Sequence, residues 1–303
     1  MRPTKTNKRS PISRPLGGAL RLATGALDAA VRNLDNARRI ANFLRGSLEL
    51  EVRPSDVFLS SYPRSGTTLT QWILYLLASE QCREPAHLTQ VSPWFERSLA
   101  IGELSAADFD RLPSPRIFKS HLPRTWLPNG ARYIYVERDV RDVIVSYFHF
   151  YRAYLGFEGS LDEFYTRFMS GRVQYGSWFD HVAGWREHSG DPDVMIIRYE
   201  DLVSDRRASI HRIAEFLDWE RDERWLDRVV NESSFDAMKR RESVFDHATA
   251  LLLERGVSPE SFLRAGRVGA GEAELKEAQL REIRERSPKA HQPGIHELAA
   301  FLQ

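Results

Sequence analysis

The segment Tyr62-Pro63-Arg64-Ser65-Gly66-Thr67-Thr68 sets one cation, small hydroxyl residues and a glycine between an apolar run (Val57-Phe58-Leu59) and an amphipathic stretch. That order predicts a strand, a tight turn and a helix. Such a turn suits a phosphate. Free backbone N–H groups point outward at the helix start, and the helix dipole favours an anion there. Gly66 lets the main chain approach without a Cβ, while Arg64, Ser65, Thr67 and Thr68 supply a positive charge and hydroxyl donors. The turn is not a Walker loop. Ser61 stands where that motif has its first glycine, and Thr67 where it has lysine.

A second charged segment lies about 80 residues on. Residues 132–152 read RYIYVERDVRDVIVSYFHFYR: a strand at 133–136, a charged cluster at 137–142, then a helix with Val143, Ile144 and Tyr147 on one side. Arg138 falls at the carboxyl end of a strand, where open α/β sheets bind ligands. Between the two segments stands Phe118-Lys119-Ser120-His121-Leu122-Pro123. An imidazole can take a proton from an alcohol near neutral pH, and Lys119 and Arg64 can neutralise charge that develops on a transferring anionic group.

These segments together resemble the cytosolic-type sulfotransferase family. Residues 62–68 are similar to its Y-P-[KR]-S-G-T-T loop, which implies that Arg64, Ser65, Gly66, Thr67 and Thr68 hold the 5′-phosphosulfate end of 3′-phosphoadenosine-5′-phosphosulfate (PAPS). Arg64 stands where the family most often has lysine; it carries charge but is a poor proton donor. Leu69 stands where the family has tryptophan and offers no ring to adenine. Arg138–Ser146 resembles R-N-P-[KR]-D-x-x-x-S, which implies Arg138 and Ser146 as 3′-phosphate ligands, with Asp139 and Val140 replacing Asn-Pro. Residues 175–185 are similar to the Y-G-S-W-x-x-H-V-x-x-W helix. Tyr199-Glu200-Asp201-Leu202 resembles Y-E-D-[ML], with Tyr199 at the adenine. Ser233-Ser234-Phe235 and Met238 resemble [ST]-S-F-x-x-M-K, implying Ser234 and a stacking Phe235. Phe262, Leu263, Arg264 and Gly266 resemble the F-x-R-K-G-x-x-G loop over the 3′-phosphate, although Ala265 replaces its lysine and Ala270-Gly271-Glu272-Ala273 its D-W-K-N. The resemblance runs from about Pro54 to Leu275.

The resemblance implies a P-loop NTPase-like sulfotransferase fold. It also implies sulfuryl transfer from PAPS to the hydroxyl of a small hydrophobic or aromatic acceptor, leaving PAP, without a metal. His121 is then the general base, with Lys119 and Arg64 as charge clamps. Ser92-Pro93-Trp94-Phe95-Glu96 resembles the acceptor-side P-[WF]-[IL]-E segment; with the aromatic stretch after Arg138 it nominates Trp94, Phe95, Phe150, Tyr151 and Tyr154 as an apolar acceptor pocket. The family's dimer motif is not recognisable, so no oligomeric state follows. Two other readings share parts of the pattern: a P-loop nucleotide kinase acting on ATP, and a catalytically inactive nucleotide-binding module.

The elements that must position these residues follow from periodicity. Apolar runs at 116–119, 133–136 and 194–198 predict further strands, with helices between them. That alternation predicts an α/β fold: a central, mostly parallel sheet flanked by helices. The 303 residues, 42% hydrophobic, suffice for a single domain over 17–303. Residues 1–16 read as a disordered basic arm, and about 20–50 as a helical segment that caps the domain or touches an anionic membrane surface or a partner. With 43 basic against 42 acidic residues the chain has no general pull toward nucleic acid. One cysteine, Cys82, precludes an internal disulfide, and neither a membrane-spanning run nor a signal-peptide core is present. Composition thus points to a cytoplasmic protein.

Overall fold

Four short runs of apolar residues become strands: Val57–Ser61 (β1), Ile117–Ser120 (β2), Arg132–Glu137 (β3) and Val194–Arg198 (β4). The computed structural model describes residues 13–79, 84–219, 221–245, 263, 266, 268–286 and 294–302. The strands lie in the order β2-β1-β3-β4, every pair parallel. In the register, Ser60 lies opposite Ser120 on one side and Tyr135 on the other, and Glu137 opposite Arg198. The carboxyl ends of all four therefore share one edge. The chain leaves β1 for β2 on one side and returns to β3 on the other, so the crevice beyond β1 and β3 is a topological switch point, where open α/β sheets hold ligands.

Around the strands run α1 (Ser13–Glu49), α2 (Thr67–Ala78), α3 (Phe95–Ile101), α4 (Ala106–Asp110), α5 (Val140–Leu155), α6 (Leu161–Met169) and α7 (Trp178–Arg186). After β4 follow α8 (Tyr199–Ser204), α9 (Arg206–Phe216), α10 (Glu223–Glu232) and α11 (Phe235–Arg240). The period-2 alternation of the strands divides the core between two faces. Val57, Leu59, Ile134 and Val136 pack with Trp72, Ile73 and Leu76 of α2 and with Ile210 and Ile213 of α9. Phe58, Phe118, Tyr133 and Tyr135 pack on the other face with Phe95, Val143, Tyr147 and Trp185. With both faces covered, each strand reads as a nearly unbroken apolar run.

Helix α1 starts at Ser13, not near residue 20, so residues 13–16 of the expected disordered arm are helical; residues 1–12 lie outside the described residues. Pro15 sits in the first turn, where its missing N–H leaves no helical bond unmade. The end of the helix carries the packing. Phe43 is buried, and Gly46 brings α1 so close to α3 that a Cβ there would lie 2.6 Å from Leu99. Leu27, Val31 and Leu34 face outward. No helix among the described residues is long and apolar enough to cross a membrane.

Strand β2 begins at Ile117, one residue later than its apolar run predicts, because Arg116 is used otherwise. Its guanidinium, fully buried, forms a fork with Asp56 at 2.8 and 2.6 Å and reaches Asp110 at 2.7 Å. This ties the starts of β1 and β2 together. Asp56→Ala leaves Arg116 as a buried charge without its bidentate partner and is expected to lower unfolding free energy by about 3–5 kcal/mol. Urea unfolding followed by circular dichroism checks this; a loss below about 1 kcal/mol would show the fork to be dispensable.

Candidate active site

The turn after β1 is built by two left-handed residues. Arg64 has φ +69° and Gly66 φ +98°. Gly66 is also the N-cap of α2, and no side chain caps that helix, so its first N–H groups remain open to a ligand. A Cβ on Gly66 would lie 2.4 Å from the ring of Tyr199, hence glycine. Ser65 is buried, and its hydroxyl finds no hydrogen-bond partner among the described residues. A buried hydroxyl without a partner is costly, and an anion's oxygen would satisfy it. These observations fit a phosphate in the turn. Thr67 is held from behind by the Ser61 hydroxyl at 2.5 Å, while Thr68 is half-buried.

The second segment lies directly against the first. Arg138 Nη1 donates to the Arg64 carbonyl at 2.9 Å, and Arg64 Nε donates to the Ser146 hydroxyl at 3.2 Å. The Arg138 guanidinium lies 4.4 Å over the Tyr199 ring. Asp139 caps α5 by accepting from the Arg141 N–H at 2.8 Å, and its own N–H donates to Glu200 at 2.9 Å. Arg64, Ser65, Gly66, Arg138, Ser146 and Tyr199 thus form one wall. Ser234 caps α11, and a Cβ on Gly266 would lie 2.5 Å from the Phe235 ring, so these residues meet as well. The Leu263 N–H donates to Glu242 at 2.6 Å. Phe262 and Arg264 lie outside the described residues.

His121 follows β2 and turns back on β1. Its Nδ1 lies 2.7 Å from the Ser61 carbonyl. A carbonyl only accepts, so Nδ1 carries the proton and Nε2 keeps its lone pair. Burial, with the adjacent Lys119 charge second, holds the imidazole well below its ordinary pKa, so it is neutral near pH 7. Burial also lowers Lys119, to about 7, against the pull of Glu96; Arg97 and Arg64 push it down further. Arg64 therefore acts on both Lys119 and His121, and the three share one field. Lys119 Nζ sits 3.7 Å over the Trp94 indole. His181 is structural. It is buried, lowered to about 4, and spans the Tyr135 hydroxyl and the His121 carbonyl at 2.9 and 3.0 Å. His149 faces Glu274.

The acceptor-side aromatics separate. Trp94 meets His121 edge-on at 5.2 Å between ring centroids. Phe150 lies between the Arg64 guanidinium, at 5.3 Å, and the stacked ring of Tyr154, at 4.9 Å. Phe95, by contrast, is fully buried among Phe43, Phe58 and Phe118, and Tyr151 packs on Tyr147 and Phe164. Both rings are committed to the core.

Three residues not singled out from the sequence shape the site. Glu96, fully buried, accepts from Trp94 Nε1 at 2.6 Å and from the His121 N–H at 2.8 Å, fixing indole and imidazole together. Burial raises its pKa. Tyr175 also meets the imidazole edge-on, at 5.1 Å between ring centroids. Asp142 accepts from the Gly269 and Gly271 N–H groups at 2.9 and 2.7 Å. All three fall within the motifs quoted above, but only the fold gives them neighbours.

Gly66→Ala combines a left-handed φ with a clash against Tyr199. It is expected to cost about 1–3 kcal/mol in urea unfolding. Adding Tyr199→Ala should recover part of that loss, and strictly additive effects would separate the turn from the ring.

Comparison with known proteins agrees with this geometry. Residues 54–291 match the model of the sulfotransferase domain family. Rabbit sulfotransferase 1C2 is 34% identical over 256 residues, covering 80% of this chain and 82% of the relative. Human sulfotransferase 1E1 is 34% identical over 233 residues, covering 72% and 78%. Among solved structures, mouse sulfotransferase SULT7A1 complexed with PAP aligns with TM-score 0.64 and 25% identity, covering 82% of this chain and 88% of that one. Retinol dehydratase in complex with androsterone and PAP aligns with TM-score 0.70, 24% identity and coverage of 81% and 84%, a likeness of fold. With four-fifths of its length matching that domain and relatives of 34% identity over most of both chains, the chain belongs to the sulfotransferase family.

Proposed function

We propose that the chain transfers a sulfuryl group from PAPS to the hydroxyl of a small, largely apolar acceptor, with His121 as the general base. The observation that carries this reading is the joining of the two anion-binding segments, Arg138 to the Arg64 carbonyl and Arg64 to Ser146, beside an imidazole whose Nε2 is free of its proton. PAPS supplies an activated sulfuryl group on a phosphate leaving group. The α2 N-terminus, Ser65, Thr67, Thr68 and Arg64 would hold its phosphosulfate end; Arg138 and Ser146 its 3′-phosphate; Tyr199, Ser234 and Phe235 its nucleoside, with Leu263 and Gly266 beside them. In transfer, His121 Nε2 takes the acceptor's hydroxyl proton as that oxygen bonds to sulfur. The bond from sulfur to the phosphate oxygen breaks, and Arg64 and Lys119 stabilise the charge left on PAP. Trp94, Phe150 and Tyr154 offer the acceptor an apolar seat. No observation favours ATP, and the presence of Arg64, Lys119 and His121 together argues against an inactive module.

His121→Ala is the decisive test. Transfer to a phenol panel with radiolabelled PAPS is expected to fall at least about a hundredfold, while PAP affinity by calorimetry stays within a few-fold. Undiminished turnover would remove His121 from the base role.

The Lys119 shift sets a pH dependence. Its folded pKa lies below its ordinary value, so between about pH 7 and 10.5 the folded chain holds fewer protons than the unfolded one, and this group makes stability rise with pH there. An anionic donor favours the charged form. Donor capture, read as kcat/KM for PAPS, is therefore expected to decline on an alkaline limb with apparent pKa of about 7. Lys119→Arg, permanently charged, should erase that limb; a limb that persists in the variant assigns the titration elsewhere.

A further inference from the structure

Arg97 has no role in the reaction as described, yet it lies against the indole that also meets His121. It is the third residue of α3 and half-buried. Its guanidinium lies 5.7 Å from the centroid of the Trp94 indole, the ring that also carries Lys119 Nζ at 3.7 Å and meets His121 at 5.2 Å. Tyr175, which also packs on His121, lies within reach of the Arg97 charge. No carboxylate among the described residues pairs with Arg97. The nearest in sequence, Glu96, is turned inward, its Oε1 taken by Trp94 Nε1 and the His121 N–H. The donor's anionic ends are provided for by Arg64, Arg138 and the α2 N-terminus, so this cation is left over on the acceptor side. A half-buried guanidinium without a counter-ion costs desolvation that an incoming anion would offset, and its planar fork suits a carboxylate or phosphate bidentately.

We infer that Arg97 forms an anion subsite of the acceptor pocket and that the physiological acceptor is an amphiphile: an apolar or aromatic hydroxyl compound carrying a carboxylate or similar anionic group. This rests on the sulfotransferase reading above. It deepens that reading by naming the acceptor class.

The test uses the full-length protein saturated with PAP and three phenolic acids of increasing length, hydroxybenzoate, hydroxyphenylacetate and hydroxyphenylpropionate, each beside its methyl ester. Calorimetry gives the affinities; radiolabelled PAPS gives kcat/KM for the same pairs. At least one acid is expected to bind about five- to tenfold more tightly than its ester. Arg97→Leu should collapse that ratio toward one, and Arg97→Lys should keep part of it. Wild-type protein that binds no acid more tightly than its ester overturns the inference, and so does a ratio unchanged in Arg97→Leu. A phosphorylated phenol in the same series separates a carboxylate subsite from a general phosphate one. Failure of the reaction reading looks different: no sulfuryl transfer to any member, with the acid-to-ester binding ratio still dependent on Arg97.

Discussion

The hydrogen bond from Arg138 to the carbonyl of Arg64 is the contact on which the site depends. Arg64 sits at φ +69°, a conformation that costs a residue with a side chain on the order of 1–3 kcal/mol unless its surroundings hold it. Arg138 holds it from just beyond β3, Ser146 engages its guanidinium from α5, and Tyr199 backs Gly66 from the end of β4. Three separate elements thus fix one turn. Their convergence requires β1 and β3 to be neighbours, which the sheet order provides. The backbone donors at the start of α2 are then oriented before any ligand arrives, so little reorganisation remains to be done during the reaction.

The same edge stores positive charge under restraint. Lys119 and His121 are both buried and both held below their ordinary pKa values, partly by one another's neighbours. The effects differ in consequence. A neutral imidazole is what a base needs, whereas a neutral lysine is a weaker clamp until an anion restores its proton. Glu96 mediates between them: it pulls Lys119 toward the charged form while its hydrogen bonds locate the His121 backbone. Its own burial disfavours its charge, so the balance is between buried groups and not between surface ion pairs.

The strands were legible because each is buried on both faces and so stands out as a short apolar run between turn residues. The order of the strands was not, since nothing in a run such as Val57-Phe58-Leu59 encodes its neighbours. Residues bound to a turn or a strand end by chain position, such as Gly66, Arg138 and His121, come together at one sheet edge because the strands that carry them are parallel. Aromatic type was the weaker guide. Trp94 stands beside Lys119 and His121 and Phe150 beside Arg64, whereas Phe95 and Tyr151 fill the core. An apolar ring serves either purpose, and only the twist of the chain decides which. Glu96 shows the converse: a carboxylate one residue along a helix acquires its meaning from a backbone N–H 25 positions away.

The altered C-terminal segment is held to the domain through its backbone. Where the resembling motif carries D-W-K-N, this chain has Ala270-Gly271-Glu272-Ala273. The short helix Ala270–Glu274 is seated on α5 by backbone groups instead. The Gly269 and Gly271 N–H groups both donate to the carboxylate of Asp142, which also lies 3.5 Å from Arg138. Contact this close needs the glycine: a Cβ at Gly271 would fall 2.2 Å from the Arg141 carbonyl carbon. Arg141 meanwhile reaches Glu272. The motif's side chains are gone, but a bidentate carboxylate and a missing Cβ bring the segment to the same helix that carries Ser146. Gly266, just upstream, remains against Phe235. The seat of this segment on α5 thus depends on backbone donors and on a missing Cβ, not on the side chains of the motif.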